Sequence, residues 1–113
     1  MFRVKHYNKG LLSEFIAKLF LLIKGYRIIA QRYKTKFSEI DIIAQKNNTI
    51  VFVEIKFRRK FSLEFNPISL SQLTRIRKTA KIFTSKGFYK HSQIRFDIIL
   101  IEPFKIRHLT NAF

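Results

Sequence analysis

Apolar residues recur at helical spacing near the start of the chain, at Leu11, Leu12, Phe15, Ile16, Leu19 and Ile23. That period is expected where one face of a helix turns toward a core. A helix is therefore predicted over residues 11–24, with Gly25 placed to end it. The pattern then changes. Residues 26–32, 39–45 and 50–58 are short runs rich in Ile, Val and Phe and read as strands. Asn47 and Asn48 separate the second run from the third, and Asn tolerates positive φ, so a tight turn is predicted there. A second helix should begin at Ser69, which stands three residues before Gln72 as in a capping box. Leu73, Ile76, Ala80 and Phe83 form its apolar stripe. Arg75, Arg77, Lys78, Lys81 and Lys86 cover much of the remainder, and Gly87 is placed to close it. Residues 93–102 read as another strand, and 104–109 as a short final one after Pro103.

The order is helix, three strands, helix, and one or two strands. Strands separated by a helix suggest a parallel, right-handed crossover. The expected fold class is α/β, a mixed sheet with a helix on each face. No repeat, linker or low-complexity stretch interrupts the 113 residues, so one domain over 1–113 with one core is expected.

Composition sharpens this. Hydrophobic residues make up 47% of the chain and 13 of them are Phe, enough to build a core and unlike a disordered basic tail. Against 23 Lys and Arg stand only 7 Asp and Glu, a formal net charge of +16. A folded domain this basic repels itself, and a polyanion would offset the repulsion. Nucleic acid is the usual one, because release of its counterions drives binding. A generally basic protein, a ribosome-associated factor or a membrane-surface protein would share this charge. The absence of Cys excludes disulfides, thiolate catalysis and Cys-bound zinc. No two of His6, His91 and His108 stand at metal-ligand spacing. Arg3, Lys5, His6 and Lys9 ahead of an apolar stretch superficially resemble a secretory signal. Glu14 and Lys18 interrupt that stretch, and Lys24-Gly25-Tyr26-Arg27 offers no small-residue cleavage site. The stretch is also too short and too charged to cross a bilayer. It reads as a core-packing helix of a cytoplasmic protein.

The few acids are Glu14, Glu39, Asp41, Glu54, Glu64, Asp97 and Glu102. If Asn47 and Asn48 form the tip of a hairpin, Lys46 faces Thr49, and position 41 faces position 54 farther along. Asp41 and Glu54 would then be cross-strand neighbours on one face, and an odd loop would spoil that register. Opposed carboxylates repel unless a proton or a cation lies between them. Oxygen ligands suit Mg²⁺ or Mn²⁺ rather than zinc. Lys56, two residues beyond Glu54, emerges on the same face, where it could hold an attacking water or steady charge on phosphate oxygens. Ile40, Ile42, Val53 and Ile55 would take the core side. A solvated sheet face with an ordinary Glu54–Lys56 pair is the plainer reading of those two residues alone; Asp41 at the matched register shifts the balance toward a metal site. Glu39 would face Lys56 as a plain salt bridge. Glu14, within the apolar helix, is either a boundary residue or a further acid reaching toward the ion.

Asp41 followed by Glu54-Ile55-Lys56 resembles the acid…(Asp/Glu)-x-Lys signature of restriction-endonuclease-like nucleases. The surroundings are more specific. Ser38-Glu39-Ile40-Asp41-Ile42-Ile43-Ala44, Val51-Phe52-Val53-Glu54-Ile55-Lys56-Phe57-Arg58, Ile94-Arg95-Phe96-Asp97-Ile98-Ile99 and Asn111-Ala112-Phe113 are together similar to the YraN-like family. That family groups small bacterial proteins predicted to be endonucleases and related in fold to Holliday-junction resolvases. The resemblance spans almost the whole chain. It implies a restriction-endonuclease-like core and an active site of Glu14, Asp41, Glu54 and Lys56. Ser38 departs from the pattern, which usually has Gly there.

The expected function is nucleic-acid binding with Mg²⁺- or Mn²⁺-dependent hydrolysis of phosphodiester bonds in DNA, structure-selective or non-specific. Asp41, Glu54 and Glu14 are the expected metal ligands. Arg58, Arg59, Lys60, Arg75 and Lys78 are expected to grip phosphates, contacts that carry little sequence information. A homodimer is compatible with such an enzyme, and no membrane partner is expected. The alternative is a non-catalytic nucleic-acid-binding protein on the same fold, associated with RNA or the ribosome.

Overall fold

The computed structural model describes residues 2–57 and 68–113, with side chains from Gly10 onward. In chain order the elements are α1 (Phe2–Ile23), β1 (Arg27–Lys34), β2 (Glu39–Lys46), β3 (Thr49–Phe57), α2 (Leu70–Thr84), a 3₁₀ turn (Gly87–Tyr89), β4 (Gln93–Glu102) and β5 (Lys105–Leu109). The strands form one sheet in the order β1-β2-β3-β4-β5. β3 and β4 run parallel; the other neighbours are antiparallel. One core lies between the sheet and α1, where Ala17 and Leu21 meet Ile42, Ala44, Val51, Val53 and Ile99. The second lies between the sheet and α2, where Ile76, Ala80 and Phe83 meet Ile43, Ile50, Phe52 and Phe96. This is the mixed-sheet α/β arrangement, helix on either face, of a restriction-endonuclease-like core.

Local chemistry explains the boundaries. Gly25, at φ 91°, terminates α1: the Gly25 N–H bonds the Leu22 carbonyl and the Tyr26 N–H reaches back to that of Leu21 at 2.9 Å. This wrap satisfies carbonyls that a helix end otherwise exposes. Asn47 takes φ 55° at the β2–β3 turn, and Lys46 pairs with Thr49, as the two-residue tip predicts. Ser69 caps α2 by accepting the Gln72 N–H at 3.1 Å. Gln72 does not complete the capping box, because its side chain is turned elsewhere. α2 ends at Thr84 with Ser85 as its cap; Gly87 opens the 3₁₀ turn rather than closing the helix.

Helix α1 departs most from the sequence pattern. It starts at Phe2 rather than Leu11, and its core face is Ser13, Ala17 and Leu21, flanked by Ile16 and Phe20. Leu11, Leu12, Phe15, Leu19 and Ile23, read as the core stripe, are exposed. The helix is apolar on both sides, and a period-3.6 signal cannot rank two apolar faces.

The strand alternation also breaks where it matters. Ile42 packs under α1, yet Ile40, two residues earlier on β2, packs under α2 with Tyr33 of β1. Ile40 therefore does not share the side of Ile42, Val53 and Ile55. β1 makes the same switch beside Arg32, which holds φ 51°, an uncommon left-handed conformation for a non-glycine residue. The β1–β2 loop is pinned to α2 by Thr79, fully buried, whose hydroxyl lies 2.7 Å from those of both Thr35 and Ser38. Ser38 is not among the residues of positive φ, so its backbone does not require the glycine usual at that place.

Candidate active site

The backbone ladder between β2 and β3 runs from Lys46–Thr49 to Ile42–Val53. At the next step the Asp41 side chain replaces a backbone partner: its Oδ2 accepts the Ile55 N–H at 2.8 Å. That bond turns Asp41 in between the two strands as the faces switch. The Asp41 carboxyl also hydrogen-bonds the Glu54 side chain.

Glu54 is partly buried, and α2 closes over it. The Gln72 side-chain amide donates to Glu54 Oε2 at 2.8 Å. Ile40, Phe52, Val53, Ile76 and Phe113 line a small cleft beside Glu54, together with Glu39. Burial pushes the Glu54 carboxyl up to about 9, and the hydrogen bond and negative charge of Asp41 push the same way. The Lys56 ammonium opposes this and Glu39 adds to it. The pair thus keeps a proton where two free carboxylates would carry two charges, and a cation could take that proton's place.

Asp41, Glu54 and Lys56 act on one another around this point. Glu14 Oε2 accepts from Arg32 Nε at 2.9 Å, and Arg32 stands on β1 between the Gln31–Ile42 and Tyr33–Ile40 pairs, across from Asp41. Among the described residues no three His, Asp or Glu side chains gather in a way that could hold a metal ion. Two hard-oxygen carboxylates nevertheless fit Mg²⁺ or Mn²⁺, ions that commonly take one or two carboxylates and complete their shell with water and substrate phosphate. Arg75 and Lys78 lie exposed on α2; Arg75 donates to Ser71 Oγ and Lys78 sits over the Phe37 ring at 5.1 Å. Arg58, Arg59 and Lys60 fall outside the described residues.

Three side chains at the site were not read from the sequence as part of it. Gln72 was legible only as a capping partner, since the sequence does not show which acceptor its amide finds. Glu39 lines the cleft with Glu54. Phe113 reaches the cleft because the chain end is anchored: the Ala112 N–H bonds the Phe96 carbonyl at 2.7 Å, and the Asn111 N–H bonds Asp97 Oδ1 at 2.9 Å. Asp97 is fully buried and also takes two bonds from Arg95, with His108 Nε2 at 2.7 Å. Burial pushes its carboxyl up, but the bonds from His108, Arg95 and the Asn111 backbone outweigh this and hold it at about 2.

The sequence profile of the uncharacterised protein family UPF0102 matches residues 13–101. A UPF0102 protein of Sinorhizobium medicae is 40% identical, over 98% of this chain and 93% of that protein. Relatives of the same description in Mesorhizobium japonicum and Rhizobium etli are 38% and 36% identical over 98% of this chain, covering 90% and 93% of their own lengths.

Proposed function

The chain belongs to the UPF0102 family, and from that premise we propose that it is a metal-dependent endonuclease acting on DNA without reading its sequence. The observation that carries this reading is the Asp41–Glu54 carboxyl pair, held where β2 and β3 stop pairing, with Lys56 two residues along the strand. Asp41 and Glu54 would hold Mg²⁺ or Mn²⁺. When bound, such an ion polarises a phosphate and makes bound water more acidic. Lys56 places an ammonium beside the pair, suited to orienting a water or to steadying charge on a phosphate oxygen. Gln72 fixes the Glu54 carboxyl through its amide. Arg75 and Lys78 offer exposed cations for phosphates flanking the cut. Glu14, which holds Arg32 through Oε2, would assist directly or through water.

Among the described residues no three acids gather in a way that could hold a metal ion, which favours a second reading, a protein that holds nucleic acid without cutting it. Labelled linear, single-stranded and branched DNA incubated with Mg²⁺, Mn²⁺ or chelator separates the two. The nuclease reading expects cleavage that chelator and Glu54→Gln both abolish. Binding without cleavage under every metal condition leaves the second reading; cleavage that survives Glu54→Gln removes the assigned site.

A further inference from the structure

Helix α1 carries an apolar face that stays exposed among the described residues. Leu11, Leu12, Phe15, Leu19, Leu22 and Ile23 are 38%, 57%, 52%, 41%, 47% and 85% exposed. They lie on the side of the helix opposite Ser13, Ala17 and Leu21, which face the sheet. A helix that is apolar all round is normally covered all round, and this one is covered on one side. Six large apolar side chains on one helix face make a contiguous bare patch, and large patches of that kind mark interaction sites. Phe88 and Phe104, by contrast, are single exposed residues on turns, and such residues are ordinary.

We propose that this face of α1 is the contact between two copies of the chain, pairing helix to helix across a two-fold axis. Leu12, Phe15, Leu19 and Leu22 are spaced by three, four and three residues, the repeat that seats side chains of one helix between those of another. A lipid surface requires no such register. An interfacial helix would also set basic residues along its polar side, whereas from Ser13 to Leu21 the side away from the bare face is buried in the core. Self-pairing is isologous, so one patch serves both copies. Each copy carries a charge of +16, so the contact forms against Coulomb repulsion, and salt that screens this repulsion strengthens it. Nucleic-acid binding responds to salt in the opposite sense. The contact does not depend on the proposed nuclease activity.

Sedimentation of the full chain over a range of concentration, at low and high sodium chloride, tests it. A dimer is expected, tighter in high salt. Leu19→Lys should raise its dissociation constant by about 30-fold or more, with an unchanged circular dichroism spectrum because Leu19 lies outside the core. Leu19→Met should retain the dimer. A monomer at every concentration and salt overturns the proposal, as does a dimer indifferent to Leu19→Lys. Flotation of a monomeric parent with anionic phosphatidylserine vesicles, lost in Leu19→Lys, also overturns it and assigns the face to lipid.

Discussion

The side-chain amide of Gln72 donates to Oε2 of Glu54 at 2.8 Å, tying the first turn of α2 to the strand that carries the carboxylate pair. The backbone N–H of Gln72 is separately occupied by Ser69, so the residue joins helix capping to site geometry. Groups that orient a ligand without touching the reacting atoms typically matter 10- to 100-fold. Gln72→Ala should therefore lower metal-dependent cleavage by about 10-fold and cost about 1 kcal/mol of stability, since the cap bond to the backbone survives. Gln72→Glu should be worse, because it sets another acid against a carboxyl that already keeps its proton. Single-turnover rates across a Mg²⁺ titration measure both; equal rates for parent and Gln72→Ala would show that the bond does not position Glu54.

The proton on the carboxylate pair gives the protein a pH signature. Burial, reinforced by Asp41, lifts Glu54 from 4.5 to about 9. Between those values the folded state keeps a proton that the unfolded state has lost, so stability falls as pH rises through the window. A bound divalent ion competes with that proton, so the stabilisation it gives should grow over the same range. Glu54→Gln has no proton to lose and should flatten the slope. Thermal melts of parent and variant across the window, in chelator and then in Mg²⁺, check this. Parallel slopes for the two proteins would mean that Glu54 ionises normally.

Asp97 makes the opposite demand. Its buried carboxylate accepts from Arg95 and from the Asn111 N–H, and His108 Nε2 lies 2.7 Å from Oδ2. Asp97→Ala would strand a guanidinium and a nearly buried imidazole, a loss of about 3–5 kcal/mol. Asp97→Asn keeps the shape and should cost less. With its carboxyl held at about 2 against an ordinary 3.8, Asp97 contributes stability that is full above 3.8 and lost as pH falls through 2, on the order of 2 kcal/mol. Urea midpoints across acid pH follow this loss, which should be missing in Asp97→Asn. Because Asp97 also holds the turn that delivers Phe113 to the cleft, its variants should release the chain end to hydrogen exchange.

Much of the architecture was legible in the sequence because its signals are local. Ser69 through its hydroxyl, and Gly25 and the Asn47-Asn48 tip through their own backbone, set the ends of α2 and α1 and the register of β2 with β3. That register is what brings Asp41 toward Glu54. The bond from the Ile55 N–H to Asp41, and the switch that sends Ile40 and Ile42 to opposite cores, were not legible, because strict alternation has no symbol for a side chain that replaces a ladder bond. The core face of α1 was misread for a related reason. Leu19 and Leu21 are equally apolar, and only the sheet decides that Leu21 is buried. The engagement of Glu14 with Arg32 depends on a left-handed residue that no local pattern announces.

Arg75 and Lys78 carry the last prediction. Both are exposed on α2, the helix whose first turn holds Glu54 through Gln72, so a backbone passing the carboxylate pair would run within reach of them. If each meets one phosphate, replacing either with Ala should flatten the dependence of log affinity on log salt by about 0.9 for duplex DNA and about 0.7 for a single strand. Loss of a phosphate contact weakens all sequences alike, so the change should be the same for unrelated oligonucleotides. Fluorescence anisotropy in chelator measures binding with cleavage suppressed. Lys78 also sits over the Phe37 ring, so Lys78→Arg should preserve the slope while Lys78→Gln loses it, separating charge from packing. A slope unaffected by both Arg75→Ala and Lys78→Ala would move the nucleic-acid path off α2, and with it the argument that Glu54 faces the substrate.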